Sequence, residues 1–148
     1  MCRHRHNLGF TPICGKSKNG RFWLKRVTAP KRMRAKLVEV KVSLKQRRHL
    51  PIPEQGQWLA SVVRGHLAYY AVPGNTDAVP GNTDAVAAFR TQVTRHWFKA
   101  LRRRSQRTRL DWTRMRRLAT RWLPPARIQH PFPEVRFDAH TQGRSPVR

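Results

Sequence analysis

Four stretches of helical periodicity, separated by proline or by turn-forming residues, limit what this chain can fold into. The first, "KRMRAKLVEVKVSLKQRRH", follows Pro30, and Met33, Leu37, Val40 and Leu44 recur in it at the spacing of one helix face. Arg34, Lys41, Lys45 and Arg48 make a second, basic stripe on the same helix. Pro51 and Pro53 are expected to break it, because proline lacks the N–H that a helix interior needs and clashes with the preceding turn. In "EQGQWLASVVRGHLAYYAV", Leu59, Val63, Leu67 and Tyr70 share a face, with Trp58 and Val62 beside them. Gly65 in mid-helix costs about 1 kcal/mol relative to alanine. This predicts the close approach of another helix or of a ligand backbone. "AVAAFRTQVTRHWFKALRRRSQR" buries Val86, Phe89, Val93, Trp97 and Leu101, with Asp84 placed to cap it. Arg102, Arg103, Arg104 and Arg107 load its end, where cations suit the helix dipole. "LDWTRMRRLATRWLPP" is capped by Asp111 and stopped by Pro124 and Pro125. Trp112, Met115, Ala119 and Trp122 point inward there, and Arg114, Arg117 and Arg121 line the outside.

Either side of these helices the pattern changes. Two short apolar runs flank Asn19-Gly20 in "NLGFTPICGKSKNGRFWLKRV", a strong hairpin signal. The C-terminal "ARIQHPFPEVRFDAHTQGRSPVR" is punctuated by proline and expected to be extended, packing through Phe132 and Phe137. Between the second and third helices Val-Pro-Gly-Asn-Thr-Asp-Ala occurs twice in tandem. Two copies are too few to stack as a solenoid, so both read as one long turn. The expected fold is mainly α: a short N-terminal β-hairpin over 1–28, a basic bundle of about four helices over 29–123, and an extended Pro-rich tail over 124–148.

Charge then narrows function. Lys and Arg number 32 against 7 Asp and Glu, a net charge of +25, and 24 of the cations are arginine. Such a surplus repels itself unless a polyanion neutralises it. Arginine is the better residue for bidentate phosphate contacts and for stacking, so nucleic acid is the expected partner. No apolar stretch approaches the roughly 18 residues of a membrane span. The N-terminus has no signal-peptide core, and Cys2 and Cys14 read as two reduced thiols, so the expected compartment is cytoplasmic. The seven carboxylates are scattered, with no pair set to clamp two metal ions. His4 and His6 lack further ligands, and no phosphate loop or catalytic triad is evident. The residues alone indicate a helical, Arg-rich RNA- or DNA-binding piece without catalytic residues, metal or cofactor.

"LGFTPICGKSKNGRFWLKR", "RMRAKLVEVK", "PIPEQGQWLASVVRGHLAYYAVPGN", "RRRSQRTRLDW" and "RWLPPARIQHPFPEVRF", in that order, resemble the C-terminal part of bacterial group II intron reverse transcriptase/maturases. The resemblance runs from about Asn7 to the end. Arg64-Gly65 with Tyr69-Tyr70 is similar to the signature of the maturase-specific region, domain X, although Ala60 stands where many members have asparagine. The resemblance implies that Leu8, Gly9 and Phe10 close a polymerase palm and that thumb and domain X follow. It implies that the catalytic palm, with its Mg²⁺ ions, belongs upstream and is missing here. The partners it implies are group II intron RNA, primer-template nucleic acid and a separately encoded palm. A maturase-type fragment, the thumb and X part of a split RNA-directed DNA polymerase, and a non-functional truncated relic all fit it. The RNA-binding set expected is Arg34, Lys41, Lys45, Arg64, Arg102, Arg103, Arg104, Arg114, Arg117 and Arg121. The second heptapeptide copy reads as a tandem DNA duplication tolerated in a surface loop.

Overall fold

A computed structural model describes residues 10–16, 20, 22–71, 85–105 and 107–127. This part is mainly helical. Its four helices are α1 (Pro30–Gln46), α2 (Ile52–Tyr70), α3 (Ala85–Arg102) and α4 (Trp112–Trp122). Ahead of them the backbones of β1 (Phe10–Lys16) and β2 (Phe22–Thr28) run antiparallel, with Phe10 opposite Thr28 and Lys16 opposite Phe22. Gly20 lies in their connection at φ 73°, a left-handed value that glycine adopts without steric cost. The doubled heptapeptide, the capping role of Asp84 and the tail beyond residue 127 lie outside the described residues.

Each helix forms where an apolar stripe can be buried. α3 contacts each of the other three helices. It carries Val86, Phe89, Val93, Trp97 and Leu101 into the core, as its spacing predicts. Val40 and Leu44 of α1 meet it, with Leu59, Val63 and Leu67 of α2 and Met115 and Ala119 of α4. Each fully buried Val, Leu or Phe is worth roughly 1.5–3 kcal/mol against exposure. Asp111 caps α4 as expected, its Oδ1 accepting from the Arg114 backbone N–H at 2.7 Å.

Three helix boundaries differ from the sequence reading. α1 ends at Gln46, so Arg48 lies half-buried in the following turn and not on the basic stripe. The cause is Gln55, a fully buried side chain of α2. Its Nε2 points at the carbonyls of Arg47, Arg48 and Leu50 at 2.9, 3.1 and 3.0 Å, and its Oε1 accepts from Trp97 Nε1 at 2.9 Å. Pro53 sits inside the first turn of α2, where its missing N–H has no helical partner to lose. α3 stops at Arg102, leaving Arg103 and Arg104 in a turn.

Two further expectations are corrected. Cys14 is disulfide-bonded and not a free thiol. Nothing in the described protein lies within 4 Å of where a Cβ on Gly65 would stand, so among the described residues no helix approaches it. The close approach is at Gly56, where a Cβ would meet the Trp122 ring at 2.6 Å.

Candidate nucleic-acid interface

The apolar stripes that build the core place the basic stripes outward. Arg34, Lys41 and Lys45 are exposed on α1, Arg64 on α2, Arg102 at the end of α3, and Arg114, Arg117 and Arg121 on α4. Arg103 and Arg104 are exposed after α3. Among the described residues the ion pair is Lys36–Glu39 at 2.9 Å, and none of these ten cations is paired with a carboxylate. Arg104 is tied by its Nη1 to the Leu50 carbonyl at 3.1 Å, which fixes the turn beside α1. Lys41 and Lys99 both act on His96, whose pKa is lowered first by burial and then by these two charges. The α1 stripe and α3 thus meet on one surface.

Aromatic rings interleave with the arginines. Arg102 lies over Phe98 at 5.6 Å, Phe98 meets Trp112 edge-to-face at 5.3 Å, and Arg116 lies over Trp112 at 5.9 Å. This ladder joins α3 to α4. Phe98, Lys99, Arg102 and Arg103 line a concavity of about 380 Å³ beside it. Arg47 lies over Trp58 at 4.6 Å and Arg121 over Trp122 at 5.6 Å. Guanidinium and aromatic faces are the surfaces on which unpaired bases stack, and the free charges are those that track phosphates. Arg116 was missed because the basic stripe was read at Arg114, Arg117 and Arg121 alone. Its signal was the adjacent Trp112, four positions earlier.

A larger groove of about 720 Å³ runs between α1 and α2. Arg32, Lys36 and Glu39 line one wall, and Gly65, His66, Tyr69 and Tyr70 line the other. The resemblance singled out Gly65, Tyr69 and Tyr70, and the fold brings all three to this groove with Arg64 exposed alongside. Leu8 and Gly9 lie outside the described residues, and Phe10 opens β1. His66 is buried and stacks on Phe89 at 3.6 Å, with Tyr70 at 4.5 Å. Burial pushes its pKa down to about 4, with the Lys36 charge adding to the effect. Burial also raises the Tyr70 pKa; Tyr69 reinforces this and Arg32 opposes it.

Not every arginine is available for a ligand. Arg90 donates from Nε to the Pro124 carbonyl at 2.9 Å and from Nη2 to those of Ala119 and Leu123 at 3.2 and 3.4 Å. It neutralises the carbonyl end of α4, the negative pole of that helix. Among the described residues no group of three or more His, Cys, Asp or Glu could hold a metal ion, and no helix is long and apolar enough to cross a membrane. No family model, curated protein or solved structure matches the chain.

Proposed function

We propose that this chain is an RNA-binding, maturase-type part of a group II intron-encoded protein, which binds intron RNA to assist splicing. The observation that carries the binding half is the set of ten exposed cations without a carboxylate partner, interleaved with the Phe98–Trp112 ladder. A solvated face on a stable monomer is normally balanced by acids, and here the described acids are only Glu39, Glu54 and Asp111. The maturase half rests on the resemblance, supported by the convergence of Gly65, Tyr69 and Tyr70 on one groove. The continuous core around Trp97 favours a folded piece over an inert relic.

The test is a competition in filter binding between structured group II intron RNA and a random RNA duplex of equal length. Preference for the intron RNA is expected. Equal affinity would remove the maturase reading and leave general RNA binding standing.

A further inference from the structure

We propose that the groove between α1 and α2 receives one unstacked nucleobase of a bound RNA strand, seated over Gly65 with Tyr69 at its mouth and Arg32 beside the flanking phosphate. This rests on the reading of the chain as an RNA-binding protein and assigns the ligand class of one of its sites.

Gly65 is the first ground. A glycine in mid-helix is ordinarily explained by a left-handed φ or by a neighbour too close for a side chain. Neither holds: among the described residues Gly20 is the glycine with positive φ, and the space over Gly65 is empty. The helix therefore carries a destabilising residue whose effect is to keep the groove floor open. His66 is the second ground. It is only 7% exposed, lines the groove, and its Nε2 has no hydrogen-bond partner. Buried nitrogens are seldom left so without a ligand or water to meet them. That nitrogen is itself closed to solvent, so a base in the groove meets it only when the ring turns outward; a nucleobase edge carries both donors and acceptors and then satisfies it in either tautomer. The third ground is shape and surroundings. About 720 Å³ is within the range of small-ligand pockets. The floor is backed by the His66–Phe89 stack, Tyr69 is 45% exposed, and Arg32 supplies positive charge at the rim. Lys36 is the lesser cation there, because Glu39 holds it at 2.9 Å.

The test uses the full chain and Gly65→Ala with two probes of equal charge: a short single-stranded oligoribonucleotide and the same sugar-phosphate strand without bases. Phosphate contacts cancel between the probes, so their affinity ratio reports base binding alone. In Gly65→Ala that ratio should fall about tenfold, the order of one stacked base, while the melting midpoint stays at or above that of the parent. An unchanged ratio in Gly65→Ala, or no preference for bases in the parent, would overturn the proposal. Should the variant melt lower than the parent, His66→Leu carries the same comparison, and there too an unchanged ratio overturns it. Failure of the parent to bind either probe in a salt-dependent way would instead defeat the RNA-binding reading itself.

Discussion

Two glycines on α2 should answer the same added methyl group with opposite signs. A Cβ at Gly56 would lie 2.6 Å from the Trp122 ring, between helices that are already packed. Gly56→Ala should therefore lower the melting midpoint, by the roughly 1–3 kcal/mol of an overpacked core, whereas Gly65→Ala should not. The sequence marked Gly65 as unusual but placed the close contact there and not at Gly56, since spacing along one helix does not say which neighbour arrives. His66 gives a second residue-scale expectation. Its folded pKa of about 4 lies below the ordinary 6.5, so between these values the unfolded chain binds a proton that the folded chain does not. Stability is fully present above about pH 6.5 and falls as pH drops toward about 4. His96, also shifted down, contributes in the same direction. Thermal melts across that range should show the decline, and His66→Phe should make it shallower without abolishing it. An identical slope in the variant would mean that His66 is not desolvated.

At the scale of elements, helix existence and facing were legible because burial follows the 3.6-residue period. All five expected core positions of α3 are buried, and the Asp111 cap acts at α4 as its residue type implies. Helix ends were less legible. The turn after α1 is held by a side chain of the next helix, and a bond from Gln55 to the carbonyls of Arg47, Arg48 and Leu50 has no local spacing to betray it. Gln55 also receives the Trp97 indole, so one amide ties α1, α2 and α3 together. Trp97→Phe keeps most of the apolar volume but strands Gln55 Oε1, and should cost about 1–3 kcal/mol. Trp97→Ala adds a cavity and should cost roughly 3–5 kcal/mol. Gln55→Leu combined with Trp97→Phe removes both polar partners, and its loss should be smaller than the sum of the two single losses. Additive losses in denaturant melts would show that the indole and the amide do not interact.

For the whole molecule the net charge of +25 is the dominant fact, and it was legible from composition alone. Which cations are free was not, because Arg90 and Arg104 are partly engaged by backbone carbonyls that only the fold brings near. Primer extension with the purified chain, template-primer and Mg²⁺ should yield no template-dependent product, since the seven carboxylates are scattered along the sequence with no pair set to clamp two metal ions; extension that survives rigorous purification would refute this. Binding itself should depend steeply on salt. If about six of the free arginines and lysines each meet a phosphate, counterion release sets a slope of log K against log salt of about −4 to −5. Charge reversal then separates the surfaces. Arg114→Glu with Arg117→Glu should flatten the slope by about two units if α4 tracks phosphates, because the carboxyl side chains cannot release condensed cations. Arg90→Lys is the control, since that guanidinium serves the end of α4. It should lower the melting midpoint and leave the slope alone. A salt series on both variants beside the parent decides the matter, and a slope unchanged by the α4 reversals would move the phosphate track to the α1 and α3 faces.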